Sequence, residues 1–351
     1  WPLSTEEKPK QFLNLIGEET MIQMTVNRIK PIIPIERIFV CTGEMYVDLV
    51  KEQLPELPKR NIIVEPEGRN TAPCIALSAM VIDRYYKNSN MVVLPSDHLI
   101  NDEEEFRNTL LAADSFIEEK DEAIVTLGMN PSRPEVGYGY IKYSDEVLKS
   151  NDFRVIKVDS FIEKPNLDTA KKYLREGNYL WNGGMFSWSI NNVINQIKLY
   201  SPNTYNALIN VMEVSEDKLQ ETINNNYEGA EATSIDYAVL EKSKDVYVIP
   251  SNFGWDDVGS WESLDRYREK DELGNVLVGQ SKAVKANNNL VISSNNSVVV
   301  EGLSDIYIIE NDGKVLVGHK SNVANVKKLK DIVFVTATDG NHGKGIAWAA
   351  N

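Results

Sequence analysis

Four polar positions in this sequence stand directly after short apolar runs, and together their side chains suit phosphoryl chemistry. They are residues 67–70 (Glu-Gly-Arg-Asn), Asp97, the pair Glu163-Lys164, and Asp257. In open α/β sheets, ligands bind beyond the carboxyl ends of the strands. Two carboxylates placed there hold a divalent cation, and the cation and a lysine neutralise charge on phosphate oxygens. Taken singly, each position has a plainer reading. Asp97 serves equally well as a helix cap, and Lys164 as a surface charge, as most lysines are. Asp256 and Asp257 suit a turn, and Asn182-Gly183-Gly184 suits a β-bulge. Their joint order along the chain is what favours a site.

The elements that must carry these residues follow from patterning. Residues 91–94 (Met-Val-Val-Leu) form a short apolar run that reads as a buried strand. Pro95 ends it, because proline cannot donate to a sheet ladder, so Asp97 falls just past the strand. Residues 37–42, 62–64 and 123–127 read as further strands. Between them lie helical patterns at 19–30, 45–54, 71–87 and 103–120, the last with an acidic first turn that suits the helix dipole. Pro73 fits the opening turn of the third. Strand and helix in alternation predict a doubly wound sheet of the α/β class. Beyond residue 130 the pattern changes: residues 131–144 read as a loop entering a strand, 154–162 as a strand, and 180–189 as a strand interrupted by paired glycines. Residues 166–176 read as a helix with an Asn cap and Gly177 as its stop. From 275 to about 318, short Val/Ile runs separated by Asn, Ser and Gly predict short strands of a solenoid-like fragment. A domain boundary is expected near residue 270.

Composition narrows the function classes. The chain has 351 residues and a formal net charge of −15, which argues against a nucleic-acid binder held by phosphate contacts. Small anionic substrates remain compatible, since local lysines and a cation override the global field. There is no apolar run of about 18 residues, so no membrane span is predicted, and no signal peptide is visible. The first residue is Trp1, and the native N-terminus is expected upstream. Two cysteines, Cys41 and Cys74, are expected as buried free thiols in a reducing compartment. His98 follows Asp97; a structural role suits it better than that of a catalytic base, because phosphate oxygens are already ionised at neutral pH.

The stretches WPLS…KPKQF, EPEGRNTAP, PSDH, GYGYI, FIEKP, WNGGMF, SIDYAVLEK and WDDVGSW occur in this order. They resemble the bacterial mannose-1-phosphate guanylyltransferases, a branch of the sugar-nucleotide pyrophosphorylases, over residues 1–330. The resemblance implies a doubly wound mixed sheet of Rossmann-like nucleotidyltransferase type over 1–270. It implies a left-handed β-helix-like piece over 271–330, with residues 331–351 a tail of uncertain origin. It implies that mannose 1-phosphate and GTP give GDP-mannose and pyrophosphate, the sugar phosphate attacking the α-phosphorus in line. Position by position, Asp97 and Asp257 would hold Mg²⁺, and Lys10 would match the lysine behind the nucleotide loop. Lys164 would contact the sugar phosphate and Glu163 the sugar hydroxyls. Asn182 and Gly183 would line the sugar pocket, with Tyr138 and Gly139 beside the sugar. Glu67, Arg69, Asn70, Thr71, Ala72 and Ser96 would lie on the nucleotide. The resemblance further implies a cytoplasmic homodimer that binds neither nucleic acid nor membrane. Another sugar and nucleotide pair, or a non-catalytic regulatory paralogue, stays open at this point.

Two departures stand out. The family's Gly-rich loop, of the form G-G-x-G-x-R, falls before Trp1 and outside this sequence, so the triphosphate contacts are unassigned. Residues 331–351 do not resemble the family. Within them, residues 338–343 (Thr-Asp-Gly-Asn-His-Gly) resemble a phosphate-gripping loop of pyridoxal-phosphate enzymes, but such a site needs a whole domain around it. The tail reads as a fusion or gene-boundary remnant.

Overall fold

The computed structural model describes residues 2–322 and the backbones of two strands, Val333–Asp339 and Gly343–Ala349. Gly340, Asn341 and His342 of the tail motif lie outside the described residues. The chain divides into two compact units, one of Ile22–Asp256 and one of Trp1–Met21 with Asp257–Asn351.

The Ile22–Asp256 unit holds helices α1 (Met21–Ile29, starting at the boundary), α2 (Val47–Gln53), α3 (Thr71–Tyr85), α4 (Glu103–Glu119), α5 (Leu167–Glu176), α6 (Ile190–Tyr200), α7 (Pro202–Leu208) and α8 (Leu219–Asn226). Its strands are β1 (Val40–Gly43), β2 (Ile62–Glu65), β3 (Asn90–Val93), β4 (Leu99–Ile100), β5 (Ile124–Met129), β6 (Tyr140–Ser150), β7 (Phe153–Ile162), β8 (Tyr179–Ser189), β9 (Val246–Ser251) and β10 (Trp255–Asp256). The α/β class predicted from the alternation is borne out. A six-stranded sheet runs in the order β3-β8-β5-β9-β7-β6. It is mixed: β5 and β9 are parallel, whereas β8 runs antiparallel to both β3 and β5. The core lies against α3 and α6. Ala72, Ala76, Leu77 and Met80 of α3 pack with Ile124, Phe186, Trp188, Val193 and Ile197. Because α3 is apolar nearly all round, it is a central helix and not a surface one. Asn166, the cap expected for α5, accepts a bond from Thr169 N–H at 2.9 Å, and Asp102 caps α4 in the same way, accepting from Glu105 N–H at 2.9 Å. Gly177 takes the left-handed conformation that stops α5.

Two expectations change in detail, and one is borne out. Strand β8 spans Tyr179–Ser189, and its paired glycines interrupt the ladder as expected: Thr126 stands opposite Phe186 and Gly128 opposite Asn182, so β5 advances two residues while β8 advances four, and the extra residues bulge from β8 at Gly183 and Gly184. Strand β6 continues to Ser150 because it pairs with β7 on both sides of a register shift between Tyr143 and Val147, while residues 145–149 face solvent. The early strands do not form one sheet. Among the described residues, β1 pairs only with β2, in parallel, and β3 pairs only with β8. Between the open edges of β1 and β3 lies a cavity of about 400 Å³. Consecutive residues of both edges line it, Phe39, Val40 and Cys41 on one side and residues 90–94 on the other, with Ile22, Val26 and Ile29 of α1 against it.

The second unit holds a short 3₁₀ turn (Lys10–Phe12), helix α9 (Trp261–Tyr267), and strands β11 (Val276–Val278), β12 (Ser281–Val284), β13 (Leu290–Ser293), β14 (Val298–Glu301), β15 (Ile306–Asn311), β16 (Lys314–His319), β17 (Val333–Asp339) and β18 (Gly343–Ala349). Strands β11, β13 and β15 stack in parallel, as do β12 and β14. Val276, Leu290 and Tyr307 lie in register across three layers. Buried Asn275 and Asn289 repeat the stacking, Asn289 Nδ2 donating to Asn275 Oδ1 at 3.0 Å. This is the β-helix-like piece expected from the short Val/Ile runs. Strand β16 turns back antiparallel on β15, and β17 and β18 form an antiparallel hairpin of their own. Among the described residues, no helix is long and apolar enough to cross a membrane.

Candidate active site

Asp97 sits in the turn between β3 and β4, where the apolar run ends. Its carboxylate lies 3.9 Å from His98 Nε2. Trp255 Nε1–H donates to His98 Nδ1 at 3.0 Å, so the imidazole proton resides on Nε2, toward Asp97. The ring of His98 meets Trp255 edge-on at 5.3 Å. From there an aromatic chain continues: Trp255 to Tyr138 at 5.1 Å, and Tyr138 to Trp181 at 5.3 Å. The Arg133 guanidinium lies over Trp181 at 5.2 Å. Strand β10 pairs with β4, which sets Asp256 opposite Leu99 and makes Trp255 the neighbour of His98. Ser96 precedes Asp97 in the same turn and lines the cavity described above.

Tyr138 leads into the second group. Gly139 accepts a backbone bond from Asn182 N–H at 2.8 Å. A Cβ on Gly139 would stand 2.6 Å from Glu163 Oε2 and 3.4 Å from Asn182 Cβ, so a larger residue here would push the Glu163 carboxylate aside. Lys164 follows Glu163 with φ of +42°, a conformation that costs free energy in a lysine and is kept where the surroundings demand it. Its ammonium pairs with Glu163 at 3.0 Å while the side chain remains largely exposed. The hydrogen bond and charge of Glu163 hold that ammonium above its usual pKa.

Asn182 connects this group inward. Its Nδ2 donates to Asp236 Oδ1 at 2.8 Å, and its Oδ1 accepts from Gly184 N–H at 3.0 Å. Burial, and then the charge of Glu163, push the Asp236 carboxyl above the ordinary aspartate range; the Asn182 bond works in the other direction. Asp236 opens a π-helical turn, Asp236–Leu240, a form often found at functional sites. Just before it, residues 230–235 hold the loop of the first motif. Arg69 Nη1 donates to Ala230 O at 3.1 Å and its Nε to Glu67 Oε1 at 2.6 Å. Ala72 N–H donates to Thr233 O at 3.1 Å, and Ile235 N–H to Thr71 Oγ1 at 2.9 Å. Asn70 has φ of +71° and caps α3 through Thr71 N–H. Loop 67–72, segment 230–236, Asn182, Gly139 and Tyr138 are thus one continuous set of contacts.

Lys10 and Asp257 belong to the other unit, and there they meet: Lys10 Nζ donates to the backbone oxygen of Asp257. The Asp257 carboxylate accepts from Gly259 N–H at 3.1 Å. Val258 between them is buried with φ of +47°, which is strained for a β-branched residue and marks a backbone held by its surroundings. Asp97, Glu163-Lys164, Asn182 and loop 67–72 all lie in the Ile22–Asp256 unit.

Sequence reasoning missed Arg133, Trp181, Trp255 and Asp236. Asp236 lies within a stretch quoted for the resemblance, yet nothing local marks it as the partner of Asn182, 54 residues away. The cation–π contact of Arg133 likewise joins β8 to a loop position, upstream of the GYGYI stretch, that no motif marks.

Comparison with known proteins adds an independent line. Residues 1–273 match the family model described as Nucleotidyl transferase. A mannose-1-phosphate guanylyltransferase of Salmonella montevideo is 39% identical over 335 residues, covering 94% of this chain and 70% of that protein. One from Escherichia coli is 36% identical over 338 residues, covering 94% and 72%. Among solved structures, one described as a mannose-1-phosphate geranyltransferase from Thermus thermophilus matches with a TM-score of 0.81 and 29% identity over 94% of each chain.

Proposed function

This chain belongs to the nucleotidyl transferase family and, within it, to the mannose-1-phosphate guanylyltransferases, and we propose that it joins mannose 1-phosphate to GTP, giving GDP-mannose and pyrophosphate. One observation carries the reading at the level of residues. The sugar-side group at Gly139, Glu163 and Asn182 is tied through Asp236 and segment 230–235 to the loop 67–72. A single chain of contacts therefore supports two neighbouring subsites, as a transferase joining two substrates requires.

The sugar-phosphate oxygen attacks the α-phosphorus, and the bond to the bridging oxygen breaks as pyrophosphate leaves. No base is needed, because the attacking oxygen is already ionised. In the structure the Lys164 ammonium is held by Glu163. On binding, the phosphate takes the place of Glu163 against Lys164, and Glu163 turns to accept the sugar hydroxyls. Asn182, Gly183, Tyr138 and Gly139 form the sugar pocket. Glu67, Arg69, Asn70, Thr71, Ala72 and Ser96 face the nucleotide. Asp97 and Asp257 would each offer Mg²⁺ a carboxylate oxygen, the donor chemistry that ion takes, and the ion would supply positive charge against the phosphates. Lys10 steadies Asp257 from behind through its backbone oxygen. The domain reading goes with this: a nucleotidyltransferase part over 1–270, a β-helix-like part over 271–330 and a tail over 331–351. We also read the protein as a cytoplasmic homodimer, which light scattering tests.

The test is pyrophosphate release from GTP and mannose 1-phosphate, with and without Mg²⁺, beside UTP, dTTP and ATP. Release that needs both substrates and the cation, with GTP preferred, is expected. Preference for another nucleotide would overturn the base assignment. No release with GDP-mannose still bound would make the chain a regulatory binder.

A further inference from the structure

We propose that Cys41, Glu65 and Cys74 form a binding site for a soft divalent cation of the zinc class, distinct from the carboxylate site for Mg²⁺. The two thiols expected as buried are half-buried and stand together with a carboxylate. One ligand atom from each residue lies within 4.8 Å of the other two. In tetrahedral zinc sites, with Zn–S of about 2.3 Å, neighbouring donors sit about 3.8 Å apart. The observed spacing exceeds that by about 1 Å at most.

The fold places these three residues for reasons that are plain in the chain. Cys41 is the second residue of β1, and Glu65 ends the parallel neighbour β2, where it stands opposite Gly43. After residues 66–70, α3 begins at Thr71, and Cys74 lies in its first turn. Two thiols and one carboxylate are a donor set that prefers zinc or cadmium to magnesium. A supporting partner exists as well: the Tyr227 hydroxyl donates to the Glu65 carboxylate and fixes its direction, as outer-shell partners of metal ligands do. Both cysteines line the cavity described above.

Occupancy has a direct consequence, which rests on the nucleotide role given above to loop 67–72. Glu65 and Cys74 stand on either side of that loop. An ion shared between them fixes both of its ends and changes the KM for GTP.

The experiment titrates the reduced, oxygen-protected protein with Cd²⁺ and follows the ultraviolet thiolate-to-metal charge-transfer band, with bound metal counted by equilibrium dialysis. One ion per chain with the band present is expected. Cys41→Ser and Cys74→Ser should each abolish the band, and Glu65→Gln should weaken binding at least tenfold. Tyr227→Phe, which removes only the supporting bond, should weaken it about 10-fold to 100-fold. Circular dichroism of each variant separates loss of the site from loss of the fold. Absence of the band in the reduced wild type overturns the proposal. So does stoichiometric binding that survives both cysteine changes, or a pair that closes to a disulfide, lighter by two hydrogens, whether or not metal is present. Cd²⁺ binding with no pyrophosphate release leaves the ion site standing and defeats the guanylyltransferase reading. Metal binding with an unaltered KM for GTP defeats the coupling.

Discussion

Asn182→Ala is the substitution whose effect follows most directly from the geometry. It removes a donor at 2.8 Å from the Asp236 carboxylate and an acceptor at 3.0 Å from Gly184 N–H. A hydrogen bond to a charged group contributes about 1.5–3 kcal/mol and a neutral one about 0.5–1.5 kcal/mol. The two share one side chain and do not add fully, so the loss of stability at neutral pH should be about 2–4 kcal/mol. The pH dependence is the sharper consequence. Burial raises the Asp236 pKa in the folded state, and the Asn182 bond opposes that rise. A carboxyl with a raised folded pKa favours folding below its unfolded pKa and loses that contribution as pH rises through the folded value. Removing Asn182 raises the folded pKa further, so the variant is penalised only where Asp236 must be ionised. Urea unfolding at about pH 8 should show the full deficit, and at about pH 4, near the ordinary aspartate pKa, only the smaller Gly184 part. A deficit of equal size at both pH values would refute the coupling of Asn182 to the charge on Asp236. The kcat/KM for mannose 1-phosphate should fall alongside, while the KM for GTP moves less.

Three further outcomes are expected. Asp257→Asn should lower turnover by about 10²–10³-fold with little change in melting temperature, because the amide oxygen still accepts from Gly259 and the backbone oxygen still faces Lys10; wild-type turnover would remove Asp257 from the metal assignment. Gly128→Ala should cost about 1–3 kcal/mol in chemical denaturation, since its Cβ would meet Val248 Cγ2 at 2.6 Å and Leu180 Cδ1 at 2.7 Å; unchanged stability would show that β8 and β9 can part there. Glu310 accepts from three successive backbone N–H groups, of Ser294, Asn295 and Asn296, at 3.0–3.1 Å, and these hold its carboxyl at about 2. Its contribution is complete above the ordinary glutamate range and is lost as pH falls toward about 2, so Glu310→Gln should lower the melting temperature at pH 7 and lose that effect in acid; an effect independent of pH would refute it.

What the sequence made legible was local. The proline that stops the run before Asp97, the Asn and Gly that bracket α5, and the short Val/Ile runs of the β-helix-like piece each act within a few residues. What it hid was partnership across distance. Residues 145–149 carry no strand alternation because both faces of that stretch are wet, and only pairing with β7 keeps it extended. Asp236 carries no local mark of its role until Asn182 is brought beside it. The strand patterns at 37–42 and 91–94 were right in kind, but no residue in them says which neighbour each strand will take.

That last point bears on how the molecule opens. Strand β5 is hydrogen-bonded on both sides, to β8 and to β9, and Ile124, Val125 and Leu127 on it are buried. Its amides should therefore exchange with solvent only when the sheet itself opens. Asn182 stands opposite Gly128 of that strand, so its contacts with Asp236 and Gly184 are anchored to one of the parts of the fold slowest to open, and they should keep their shape while chain ends and exposed loops yield.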